Sequence, residues 1–234
     1  MSRSIKQLCG NQLGASDGEI GQVKDFYFDD QSWAVRYVAA ETGAWLTSRQ
    51  VLLSPHAFSG FRQFEKTPPV NLSRRQIEDS PAIEWHKPVS RQFEEEYHRY
   101  YGWPGYWEGD GLRNFPISQP AKKHLPDTAG AAIAKKHQGA DAHLRSLQVV
   151  RGYRLQAADG SIGRICDFMM NEKTWVIDEI VIKFGHRFSG NEVRVPMGKV
   201  RRISYEESTV FMNVSGEAAE HSPAQQPVLA GAFA

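Results

Sequence analysis

The residues of this chain that are able to do chemistry are eight histidines, two cysteines and a run of three glutamates. A nucleophile needs a base within hydrogen-bond reach, and a metal needs several converging ligands. Glu94 and His98 have the spacing of a two-ligand site on a helix, but two ligands do not make a selective metal site. HExxH, CxxC, GxSxG and phosphate-loop patterns do not occur. We therefore expect a non-enzymatic protein with no catalytic residue, cofactor or metal, and keep a metal or enzyme site at His86, His98 and Glu94 as an alternative.

The other acidic residues are interpreted structurally. The triplet Glu94-Glu95-Glu96 fans around a predicted helix, so we expect an exposed acidic face. Asp25 and Asp167 recur at equivalent positions, and a carboxylate that ends a strand or caps a turn explains them.

Composition sets the broad class. The 234 residues allow one large domain or two small ones, and 41% hydrophobic with 24% charged residues is ordinary for a globular protein. A formal charge of +1 gives no general attraction to nucleic acid, so no nucleic-acid partner is expected. No signal-like or membrane-spanning apolar run is found, which predicts a soluble, cytoplasmic protein. Cys9 and Cys166 are not equivalent in the repeat and are expected to be reduced.

The chain contains one pattern twice. At a constant offset of 142, residues 8–58 align without a gap to residues 150–200. The identical pairs are Gly10/Gly152, Leu13/Leu155, Ala15/Ala157, Asp17/Asp159, Gly18/Gly160, Ile20/Ile162, Gly21/Gly163, Asp25/Asp167, Phe26/Phe168, Trp33/Trp175, Gly43/Gly185 and Val51/Val193. Average residue usage would give about three identities by chance. The same domain is therefore present twice.

Each copy is predicted to be a small antiparallel β-barrel. Asp17-Gly18 and Asp159-Gly160 are dipeptides typical of tight hairpins. Several strands then follow at turn spacings near ten residues, which favours a closed or nearly closed barrel. We expect Trp33 and Trp175 to fill the interiors.

The connector between the copies is predicted to contain a short amphipathic helix. Ser90 is a candidate N-cap, and a helix from Arg91 to Tyr101 would end at Gly102. Its aromatic face would carry Phe93, Tyr97 and Tyr100 or Tyr101. Before it, Ser73 and Gln76 have the spacing of a capping box, which predicts a helical turn ending before Pro81.

After this helix, Trp103, Tyr106 and Trp107 form an aromatic cluster. Such rings either pack the helix against a barrel or form a surface that binds a partner. They are the candidate partner-binding residues.

The resulting fold class is mainly β: two small antiparallel barrels related by duplication and joined by the connector. The predicted domains are a first barrel at 1–80, the connector with a basic Ala/Lys linker at 81–145, a second barrel at 146–215 and a disordered tail at 216–234.

The segments "DGEIGQVKDFYFDDQSWAVRYV", "DGSIGRICDFMMNEKTWVIDEI" and "DSPAIEWHKPVSRQFEEEYHRYYGWPGYW" resemble the PRC-barrel family. That family is named for the cytoplasmic domain of the photosynthetic reaction centre H subunit and is shared with a domain of the ribosome maturation factor. The resemblance covers residues 5–107 and 146–215, and "VLLSP" at Val51 to Pro55 is among its more specific marks.

The resemblance implies a bacterial protein-interaction or assembly module, a soluble adaptor or stress-related protein with an unidentified protein partner. Self-association, or packing between the two barrels, is left open. The first alternative is an H-subunit-like protein of the photosynthetic light reaction, docked peripherally on a membrane complex. The second is a binding protein similar to the ribosome maturation factor.

Overall fold

The structure is a computed structural model that describes residues 1–46, 49–58, 69–81, 91–107, 144–184 and 192–216. It is mainly β and forms two compact units. Unit 1 is Met1–Gln148 together with Asn171–Val176, and unit 2 is Val149–Met170 together with Ile177–Ala234. The boundary between the two units after Gln148 lies close to residue 146, the predicted start of the second barrel.

Unit 1 is built on a sheet with the strand order β2-β3-β4-β5, and β6 pairs with β3. Its strands are β1 (Ser2–Ser4), β2 (Gln12–Ala15), β3 (Gly18–Asp29), β4 (Val35–Thr42), β5 (Gln50–Leu53) and β6 (Leu144–Ser146). Its helices are α1 (Ile5–Leu8), α2 (Arg74–Glu78) and α3 (Arg91–Tyr101). The alternating apolar residues of β3, including Ile20, Phe26 and Phe28, are fully buried and form the core with Leu13 and Leu53.

Unit 2 repeats the arrangement with the strand order β10-β9-β8-β7-β12-β11. The strands are β7 (Arg154–Ala157), β8 (Gly160–Asn171), β9 (Ile177–Phe184), β10 (Glu192–Pro196), β11 (Val200–Ser204) and β12 (Thr209–Met212), and α4 (Leu147–Val150) precedes them. Leu155, Ile165, Ile180, Ile182 and Val195 are its buried core.

The strand pairings of the described residues do not close either sheet into a ring, so the closed barrel remains a prediction. In unit 1, isolated bridges join Gly14 to Pro69 and Phe58 to Val70. They occupy the positions at which unit 2 pairs β7 with β12 and β11 with β12. The two copies therefore share one strand topology.

The Asp-Gly hairpins are confirmed. Ala15 pairs with Gly18 and Ala157 pairs with Gly160, and both glycines have positive φ. Each aspartate also accepts a hydrogen bond from a backbone N–H 57 residues further on: Asp17 Oδ1 from Arg74 at 2.7 Å, and Asp159 Oδ1 from Gly216 at 2.8 Å. The repeated aspartate thus ties the first hairpin to the end of its own copy.

The segment Asn171–Val176 belongs to the second copy by sequence but lies in unit 1. There the Val35 N–H donates to the Trp175 carbonyl at 2.7 Å, and Trp175, 4% exposed, packs 5.3 Å from the Phe58 ring. The expectation that Trp175 fills the interior of its own copy is therefore not met. Trp33 is half-buried and stacks on Phe28 at 5.5 Å.

The short helices follow the sequence signals. The capping box is present: the Gln76 N–H donates to Ser73 Oγ at 3.2 Å, and the Ser73 N–H donates to Gln76 Oε1 at 2.8 Å. Helix α3 has the predicted bounds and ends at Gly102, whose φ is +68°. Three predicted features lie outside the described residues: the N-cap Ser90, the linker at residues 108–143 and the tail after Gly216.

Candidate functional site

The candidate site is the face of unit 1 that is covered by Arg91–Trp107, here called the aromatic connector. It consists of α3 and the loop after it. Tyr97 is buried on α3, its hydroxyl donates to the Leu52 carbonyl of β5, and its ring meets that of Tyr37 on β4 edge-on at 5.8 Å. Burial, followed by the neighbouring Tyr101, raises the pKa of Tyr97 well above its usual value. The helix is thus fixed to two strands by a neutral phenol.

Trp103 extends this packed surface beyond the helix. It is 8% exposed and stacks on Tyr101 at 4.3 Å with an angle of 15° between the rings. It also lies 6.1 Å from the ring of His56, which follows β5. Of the two interpretations offered by the sequence, packing against the first copy therefore describes Trp103.

A polar network lies beneath the connector. The hydroxyls of Tyr37 and Tyr106 both donate to Glu94 Oε1 at 2.8 Å. The Tyr37 hydroxyl is also 3.0 Å from His98 Nε2, and His98 Nδ1 is 2.9 Å from the Pro104 carbonyl oxygen. Glu94 is 0% exposed and His98 is 4% exposed. The interpretation of the glutamate triplet as an exposed acidic face is therefore wrong for Glu94, since the connector loop covers that side of the helix.

The donors and acceptors of this network determine where its protons lie. The Pro104 carbonyl only accepts, so His98 Nδ1 carries a hydrogen. The Tyr37 hydroxyl donates to Glu94 Oε1, and its oxygen also lies within hydrogen-bond distance of His98 Nε2. One phenol therefore joins the two buried ionisable side chains.

The phenol at the centre of the network stays protonated. Burial raises the pKa of Tyr37 well above its usual value, and the Glu94 charge raises it further. Tyr37 is therefore a neutral hydrogen-bond bridge between Glu94 and His98.

Arg36 supports the loop end of the connector. Its guanidinium lies 3.9 Å from the Tyr106 ring centroid, and its Nη2 donates to Asp29 Oδ2 and Ser32 Oγ, both at 3.2 Å. Burial opposes ionisation of Asp29, but backbone N–H groups of Ser32 and Gln31 and the Arg36 charge outweigh it and lower the pKa. Arg36 is 2% exposed, and its Nε and Nη1 have no hydrogen-bond partner within the described chain. Its cation is held by one carboxylate and one aromatic face.

Tyr106 and Trp107 form the outer end of the site. Both are half-buried, and Trp107 lies 5.1 Å from the His98 ring. A Cβ on Gly105 would come within 2.6 Å of the Trp107 ring, so a glycine is needed there for the ring to fold back. Of the three candidate partner-binding residues, these two retain accessible surface.

The sequence alone did not predict that Tyr37 and Arg36 belong to the site, or that Glu94 is buried. A signal for the first two was available in the alignment of the copies, where Tyr37 is replaced by Glu179 and Arg36 by Asp178.

The arrangement holds a helix, a buried hydrogen-bond network and a buried cation. Within the described ranges, no group of three or more His, Cys, Asp or Glu side chains converges as a metal site would require. His86 of the alternative metal site lies outside the described residues. Asp25, expected at a strand end or turn, instead lies within β3, where it accepts from Ser146 Oγ and, at 3.0 Å, from the Gln148 N–H.

No protein-family model matches this chain, and no curated protein matches its sequence. None of the helices in the described part of the chain has the length and apolar character needed to cross a membrane.

Proposed function

We propose that this protein is a non-enzymatic interaction module of the PRC-barrel type, a cytoplasmic adaptor built from two copies of one small barrel. The observation that carries the proposal is the divergence of the two copies on one strand face. Turns, core positions and register recur at the offset of 142, whereas the residues facing outward differ.

The first copy shows what this face does. Tyr37, Leu52 and His56 all contact the aromatic connector, so the face receives a helix. The equivalent residues of the second copy are Glu179, Arg194 and Gly198. Docking of an amphipathic helix on an apolar surface is a recurrent mode of peptide recognition, and one fold can carry different sites.

Unit 1 also receives an extended segment. Strand β6 adds to β3, with Tyr27 opposite Ser146 and Asp29 opposite Leu144. Main-chain hydrogen bonds supply the affinity in this mode, which is β-strand addition. One small unit therefore receives both a helix and a strand from sequence outside its own repeat, which supports a role in binding protein segments.

Affinity capture tests the proposal. The full chain, immobilised through its amino terminus, is exposed to lysate of the cells that produce it, and retained proteins are identified by mass spectrometry. We expect one or more proteins to be enriched over a bead control carrying the heat-unfolded chain. A chain that is folded by circular dichroism but enriches no protein would contradict the proposal.

A further inference from the structure

A row of three exposed cations crosses the sheet of unit 2. Arg154 on β7 is paired with Arg164 on β8, and Arg164 is paired with Lys183 on β9. All three are exposed. Paired residues of neighbouring strands point to the same face and lie about 5 Å apart, so the row places three positive charges within about 10 Å. We call Arg154, Arg164 and Lys183 the basic row.

This arrangement is unfavourable for the isolated unit, because like charges directly opposite each other destabilise a sheet. Within the described chain none of the three forms an ion pair, and the one hydrogen bond from their side chains is that of Arg164 Nη1 to the Gly152 carbonyl, 2.9 Å. The exposed Glu192 follows Lys183 in the row, on β10.

The fold itself does not require cations at these positions. In the first copy the equivalent residues are Gln12, Gln22 and Glu41, paired in the same register. There they line a pocket of about 370 Å³ together with Trp45. The same backbone row is thus polar and acidic in one copy and basic in the other.

The row lies on the face that binds a helix in the first copy. Tyr37 and Glu41 are four residues apart on β4 and share one face, and Tyr37 is the residue that meets α3. Their equivalents Glu179 and Lys183 share the corresponding face of β9. The aromatic side chains that recognise α3 are absent from this second face, and charged residues replace them.

We propose that this face of unit 2 binds an acidic helical segment of a partner protein through the basic row. Carboxylates at positions i and i+4 of a helix are about 5–6 Å apart, close to the spacing of about 4.8 Å between strands. The inference rests on the proposed function and specifies the partner of the second copy. A nucleic acid fits less well, because three cations are fewer than the 6–10 phosphate contacts of a strong binder.

Fluorescence anisotropy with a labelled helical peptide of about 17 residues, with glutamates at i and i+4 on an alanine background, tests this inference. The full-length chain is compared with the variant Arg154→Gln/Arg164→Gln/Lys183→Glu, which carries the residues of the first copy. The matched control is Arg151→Gln/Lys199→Gln/Arg201→Glu, three exposed cations of the same unit with the same change in formal charge. Melting curves of all three chains verify that they are folded.

We expect the basic-row variant to bind the peptide about tenfold or more weakly, the control to stay within about twofold of the wild type, and added salt to weaken binding. The inference is overturned if the wild type does not bind the peptide, if both variants lose affinity equally, or if a DNA duplex of similar length binds more tightly than the peptide. In each of these cases a wild-type chain that still captures protein partners keeps the proposed function intact. If the wild-type chain binds the peptide but captures no protein from the lysate, only the proposed function is contradicted.

Discussion

Tyr37 and Glu179 occupy the same position in the two copies, yet Tyr37 is buried at the centre of a hydrogen-bond network and Glu179 is half-exposed. The difference follows from what lies over each strand. The connector brings Glu94 and His98 to Tyr37, and a phenol satisfies both because it donates and accepts at one oxygen. One duplicated strand therefore supports a buried contact in the first copy and a charged surface in the second.

Removing the Tyr37 hydroxyl is predicted to destabilise unit 1. Tyr37→Phe keeps the ring but leaves the buried Glu94 and His98 without their shared bridge, so the free energy of unfolding should fall by about 1–3 kcal/mol in urea denaturation. Tyr153→Phe is the control, because its hydroxyl has no hydrogen-bond partner within the described chain, and it should change stability by less than about 0.5 kcal/mol. Equal effects of the two variants would show that the network contributes nothing.

The two tryptophans of the connector are predicted to differ. Trp103 is buried and packs on the rings of Tyr101 and His56, so Trp103→Ala should lower the free energy of unfolding by about 3–5 kcal/mol. Trp107 is half-buried, and Trp107→Ala should cost about 1 kcal/mol. Thermal melts of both variants measure this, and a larger loss for Trp107 would reverse the assignment of packed and accessible ends.

His56 predicts a dependence of stability on pH. Burial lowers the pKa of His56 below its usual 6.5, so the unfolded chain takes up a proton more readily than the folded chain. The stability it contributes is fully present above pH 6.5 and is lost as the pH falls through the folded-state pKa.

The variant His56→Phe keeps a ring beside Trp103 and removes the titration. Between about pH 7.5 and about pH 5, its melting temperature should fall less than that of the wild type. Melting profiles that run parallel over this range would contradict the assignment.

Two repeated glycines are predicted to be intolerant of a side chain. A Cβ on Gly21 would lie 1.9 Å from the Glu41 carbonyl oxygen, and one on Gly163 would lie 2.3 Å from that of Lys183. Because the obstacle is backbone of the neighbouring strand, Gly21→Ala and Gly163→Ala should each destabilise by about 2 kcal/mol or more. Gly198→Ala meets no atom within 4 Å and should be nearly neutral in the same denaturation assay.

Much of the fold was accessible from the sequence because it depends on local signals. The Asp-Gly hairpins, the capping box at Ser73 and the bounds of α3 each follow from residues near one another in the chain. The duplication added the prediction that both copies share a topology.

The site was accessible only in part, because it depends on contacts between distant segments. Helical periodicity placed Tyr97 on the packed face, but Glu94 and His98 are buried by the loop that folds back over them, which no periodicity reports. Trp175 lies in unit 1 for a similar reason, since the Val35–Trp175 hydrogen bond joins residues 140 positions apart.

The central claim is that the copies use the same scaffold to bind different segments. Affinity capture with three full-length chains tests it most directly: the wild type, Trp107→Ala at the accessible end of the connector, and the basic-row variant. We predict that at least one protein retained by the wild type is lost by one variant and kept by the other. If both variants, folded as the wild type is, retain the same proteins in the same amounts, the faces are not the binding surfaces and the account is contradicted.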